Sequence, residues 1–162
     1  MRIAVLALVC CSAAYAQDMG VLRNLSESKF GPLPGLPSCV MGAVQSGDPS
    51  TGGSVIALKG TAGCTIPWHW HTPTERVIVV SGSMKFEMKD SGKSLTLGAG
   101  GYAEMPTKHV HQAKCVSACT AFVTSDKAFD IHYVDASGNE IPPETALAKK
   151  PRPLAAAATH HK

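Results

Sequence analysis

The chain has no run of 18 consecutive apolar residues, which excludes a membrane-spanning helix. Aromatic residues make up only 6% and charged residues 17% of the 162 positions. No basic stripe with interleaved aromatics is present, so nucleic acid is not an expected partner. No C-x-x-C pair is present either, which argues against a zinc knuckle. Disorder throughout is excluded by a 44% hydrophobic share, enough to build a core. What the chain does have is turn chemistry: 15 glycines and 11 prolines spread along its length. Such punctuation favours short strands over a helical bundle, and the length suits one domain.

The net charge of +3 is unevenly placed. Lys149, Lys150, Arg152 and Lys162 sit at the C-terminal end with no acid among them, and the stretch from Gln17 to Ala146 is mildly acidic. At the other end, Met1-Arg2 precedes an apolar run from Ile3 to Val9, and Ala14-Tyr15-Ala16 supplies a small-x-small site before Gln17. This pattern is that of a secretory signal peptide over residues 1–16, so the mature chain is expected in the periplasm or outside the cell. The mature part keeps Cys39, Cys64, Cys115 and Cys119. An oxidising compartment makes pairing plausible. Cys115 and Cys119 flank an expected hairpin turn, and Cys39 and Cys64 lie at expected strand ends. Buried free thiols are the alternative.

Residues 17–38 contain Pro32, Pro34 and Pro37, which exclude a helix there and predict an extended arm packed on the domain. Residues 39–135 form the expected barrel. Strands are predicted near 39–45, 54–59, 65–71, 75–80, 84–89, 94–97, 102–105, 109–115, 119–124 and 129–134. Met84, Phe86 and Met88 alternate with Lys85, Glu87 and Lys89, as a strand with one buried face should. Strands at this spacing predict an all-β sandwich or barrel. Residues 136–162 read as a disordered tail ending in His160-His161-Lys162.

The chemistry concentrates in Gly63 to Gly82. His69 and His71 are two apart, so on a strand both imidazoles project from one face. Thr72-Pro73-Thr74 turns the chain, and Glu75 can return a carboxylate to the same interior. Two imidazoles and a carboxylate suit a divalent transition metal. His111 follows on a later run.

Gly63, His69, His71, Glu75 and Gly82 fall on all five fixed positions of G-x5-H-x-H-x3-E-x6-G. Gly100, Pro106 and His111 fit a second pattern, G-x5-P-x-G-x2-H-x3-N, in which Lys108 replaces a glycine and Cys115 the asparagine. The chain therefore resembles the cupin superfamily, over about residues 39–134. Ser46 to Pro49, Pro67 to His71 and Val79 to Gly82 are also similar to small exported bacterial cupins. The resemblance implies a jelly-roll barrel, or double-stranded β-helix. It implies one ion of iron, manganese, nickel, copper or zinc, held by His69, His71, Glu75 and His111. Glu75 can alternate between ligand and base. His109 shares the parity of His111 and is either a base beside the metal or a rim residue.

Glu87 and Glu104 are expected on exposed strand faces, and Trp68 and Trp70 outside the cavity or against a second subunit. Val79, Met84, Phe86, Tyr102 and Met105 are candidate cavity walls, or else core. The resemblance also implies a homodimer, with Trp68, Trp70 and the arm as contacts. Three functions fit a small-molecule site of this kind: a metal-dependent oxygenase acting on a phenolic or enolic substrate, a non-enzymatic binding module, and a Lewis-acid isomerase or lyase. No stable membrane insertion is expected.

Overall fold

The computed structural model describes residues 20–148, so the expected leader and the terminal histidines lie outside the described residues. Among the described residues there are eleven strands: β1 (Val40–Gly47), β2 (Ser54–Gly60), β3 (Thr65–Trp70), β4 (Glu75–Ser81), β5 (Met84–Met88), β6 (Ser94–Leu97), β7 (Tyr102–Met105), β8 (His111–Cys115), β9 (Cys119–Ser125), β10 (His132–Val134) and β11 (Glu140–Ile141). One five-stranded sheet runs β1-β2-β9-β4-β7 and one six-stranded sheet runs β11-β10-β3-β8-β5-β6. All pairings are antiparallel. The molecule is an all-β jelly roll.

Side-chain alternation sets what each strand buries. On β4, Glu75, Val77 and Val79 are buried, while Ile78 and Val80 are exposed. On β5, Met84 and Phe86 are buried and Lys85 is not. Val77, Val79, Met84, Phe86, Met105 and Val123 pack together between the sheets. Burying an aliphatic or aromatic side chain of this size contributes about 1.5–3 kcal/mol. Two disulfides, Cys39–Cys64 and Cys115–Cys119, lie at this core, which decides for pairing over free thiols.

The described segment before β1 is not extended throughout: it holds a 3-10 turn, Leu25–Glu27, and two further turns, in which the Leu36 amide donates to Leu33 O and the Val40 amide to Pro37 O. Gly31 bridges to Gly42 on the free edge of β1. The hydroxyl of Tyr133, on β10, donates to the Gly35 carbonyl at 2.7 Å. The arm is thereby tied to both sheets.

The barrel does not end at Asp135. The chain turns, β11 pairs with β10, and a short helix α1 (Pro143–Leu147) contacts β10. The expected tail is therefore folded through Ala148, because a two-residue strand needs only a partner edge and leaves almost no periodic signal.

Candidate metal centre

Four buried side chains converge at one end of the sandwich: His69, His71, Glu75 and His111. Each is no more than 7% exposed. His69 lies near the end of β3, and its register partner on β8 is His111. The β3–β8 register shifts between Ile66 and His69, across Pro67, which has no N–H for the ladder. His71 follows β3, and Glu75 opens β4 in the opposite sheet. The turn between β3 and β4 thus carries the ligand set across the sandwich.

The ring orientations are fixed by main-chain carbonyls. His69 Nδ1 donates to Pro67 O at 2.6 Å, and His111 Nδ1 to His109 O at 2.9 Å. His71 Nδ1 donates to Asp130 O. A carbonyl only accepts, so each Nδ1 carries the proton and each Nε2 is left with a lone pair. Glu75 Oε2 lies 3.5 Å from His71 Nε2 and 3.2 Å from His111 Nε2. The four ligand atoms all lie within 4.8 Å of one another. His71 Nε2 is buried with no hydrogen-bond partner. Three lone pairs and a carboxylate facing one point have no proton to share in this neutral arrangement. Such a donor set fits one cation, and the four residues could hold it.

Electrostatics agree with that reading. Burial, followed by the neighbouring His111 and His71, holds His69 well below its ordinary pKa and keeps it neutral. Burial opposes charge on His71, but Glu75 prevails and raises it. Burial would likewise raise Glu75, but His71 and His111 hold it well below the usual carboxylate range.

Lys108 occupies the glycine position of the second pattern and adopts the left-handed conformation, φ 60°. Its amide donates to His71 O at 2.9 Å. The turn before β8 therefore forms despite the replaced glycine. Gly82 cannot be replaced so easily: a Cβ there would lie 2.0 Å from Ala118 O.

A cavity of about 380 Å³ adjoins the site, with His69, His71 and Glu75 on its wall. Its other walls are mostly apolar. The arm supplies Leu33, Pro34 and Leu36, the β1–β2 turn Pro49, and the β9–β10 loop Phe129 and Ile131. The sheets add Ile56, Leu58, Ile66 and Val123. Phe129 also stacks on His71, with ring centroids 4.4 Å apart.

None of Val79, Met84, Phe86, Tyr102 and Met105 lines this cavity. Tyr102 is exposed and donates to Glu104, and the other four are core. Alternation along a strand gives the side that a residue faces, not the end of the sandwich it reaches. His109 is half-buried and lies outside the cavity wall; it contributes its carbonyl to His111. Glu104 and Glu87 pair with Arg76 and Lys85 at 3.0 and 2.7 Å, away from the site. Trp70 stacks on His132 of its own chain, centroids 3.9 Å apart, and Trp68 is half-buried. The arm residues were not expected in the site. Leu33 and Leu36 sit in a proline-rich stretch with no period that could aim them.

Fold and site together define a β-barrel with a buried His3Glu cluster at its mouth. The cupin domain family matches residues 60–125, which hold all four clustered residues, and that stretch is a cupin domain. Similar solved structures include an RmlC-like cupin protein from Ralstonia eutropha, 23% identical over 77% of this chain and 78% of that one, TM-score 0.61. The polyketide cyclase RemF from Streptomyces resistomycificus is 17% identical over 80% and 99%, TM-score 0.63. The DMSP lyase DddQ from Ruegeria pomeroyi is 17% identical over 62% and 57%, TM-score 0.52. These likenesses establish the fold. No curated protein matches the sequence.

Proposed function

We propose that this chain is an exported, metal-dependent oxygenase acting on a small chelating substrate of phenolic or enolic type. The observation that carries the reading is the convergence of three imidazole lone pairs and one carboxylate beside a largely apolar cavity. His69, His71, Glu75 and His111 would hold the ion, and a bound redox ion would supply dioxygen chemistry at the coordination positions left open. The chain's own residues have simpler tasks. The Pro67, Asp130 and His109 carbonyls orient the imidazoles. Glu75 supplies the negative charge and can accept a proton from an acidic substrate hydroxyl. The apolar walls exclude water. Among the described residues, the cavity side chains offer no thiol, lysine or arginine, so the ion is left to carry the reaction.

A Lewis-acid isomerase or lyase uses the same ligand set, and a polyketide cyclase and a DMSP lyase share the fold. Metal identity separates these readings. The mature protein, purified without an added tag, is compared with a His69→Ala/His111→Ala variant by elemental analysis and oxygen uptake. About one iron, manganese, nickel or copper per chain, lost in the variant, with oxygen consumed on a phenolic or enolic substrate, supports the oxygenase. Zinc alone, or turnover without oxygen, moves the assignment to Lewis-acid chemistry. No metal above the variant's background leaves a binding module.

Export to an oxidising compartment accords with the two disulfides. We also propose a homodimer, checked by sedimentation equilibrium.

A further inference from the structure

The walls of the cavity narrow the substrate class. This inference rests on the cavity belonging to the proposed site, and not on the oxygen chemistry. Among the described residues, no lysine or arginine lines the cavity. Its polar side chains beyond the ligands are Ser50 and Asp130, and both are engaged. Ser50 Oγ donates to Asp48 at 2.6 Å. Asp130 accepts from the Thr72 amide at 2.7 Å and lies 3.2 Å from His132 Nε2. A phosphorylated or sulfated ligand would find no cation among these side chains. A sugar or polyol would bury several hydroxyls against leucine, isoleucine and phenylalanine, which cannot bond them. The volume of about 380 Å³ lies in the range of small-molecule pockets.

We infer that the ligand is a compact alkyl- or aryl-bearing molecule with a single oxygen-donor head, not a carbohydrate, and that the arm residues Leu33 and Leu36 select its apolar body. The head faces His69, His71 and Glu75. The body lies among Leu33, Leu36, Phe129 and Ile131. The arm is held in place by the Tyr133–Gly35 hydrogen bond and by Leu33 crossing Gly42, where even a Cβ would lie 2.2 Å from Leu33 Cδ1.

The test is calorimetric binding to the zinc-loaded protein, where no oxygen chemistry intervenes. The ligands are catechol, 4-tert-butylcatechol and galacturonate. The expected result is binding of 4-tert-butylcatechol at least about tenfold tighter than catechol, with no measurable galacturonate binding. In a Leu33→Ala/Leu36→Ala variant that preference shrinks severalfold, while the zinc content per chain stays at the wild-type level, which shows an intact metal cluster. Phenol and 4-tert-butylphenol are then compared on metal-free protein, where the same preference is expected. Persistence there with no gain from zinc would sink the metal reading and leave this one standing. Galacturonate binding as tightly as 4-tert-butylcatechol, or no preference for the alkylated ligand in either form, overturns the inference. So does a preference that the arm variant leaves unchanged.

Discussion

Within the cluster, His71 is the residue whose proton a metal ion would have to displace. His69 is kept neutral by burial and its neighbours, whereas Glu75 raises His71 above its ordinary value of 6.5. In metal-free protein a raised imidazole contributes stability that is present below 6.5 and is lost as pH rises through the raised value. Metal binding runs the other way, since the ion needs the neutral ring. Zinc affinity should therefore rise about tenfold per pH unit through the acidic range, then level off once His71 is neutral. Titrations in buffers of different ionisation enthalpy should show about one proton released per ion below that point.

Lys108 makes a second prediction at this scale. A non-glycine residue in the left-handed region costs roughly 1–2 kcal/mol, and glycine's extra chain entropy returns about 0.5–1. Lys108→Gly should thus stabilise the fold by up to about 1 kcal/mol in chemical denaturation and leave metal content unchanged. The four clustered residues were legible because each lies at a fixed spacing. The cavity walls were not, because they come from six separate segments and share no period.

Among the elements, the arm is joined to β10 by one side-chain hydrogen bond. Tyr133 is 1% exposed, and its hydroxyl reaches the Gly35 carbonyl. Tyr133→Phe removes that donor, at a cost of about 1 kcal/mol. Amide exchange should accelerate in the segment around Leu33 to Leu36 while the sheets stay protected. The strands themselves were readable from alternation and turn residues, with bounds off by only a few residues. Residues 136–148 were misread because Pro142-Pro143 and a two-residue strand carry no repeat; only the open edge of β10 specifies their place.

For the whole molecule, the two disulfides should not contribute equally. Cys39–Cys64 closes a segment with a sequence separation of 25, whereas Cys115–Cys119 spans only 4. Loop-closure entropy grows with length, so the first should contribute about 3–4 kcal/mol and the second about 2. Cys39→Ser/Cys64→Ser should accordingly lower the melting temperature more than Cys115→Ser/Cys119→Ser, by scanning calorimetry. The first bond also joins the residue preceding β1 to the stretch leading into the histidine strand. Its loss should loosen arm and site together.

The three imidazoles are aimed by the carbonyls of Pro67, Asp130 and His109, not by side chains. Replacing those side chains one at a time leaves every carbonyl in the chain. An alanine scan would therefore report the four clustered residues and pass over what aims them. The orientation of the centre is written in the path of the backbone, and it can change only where that path does.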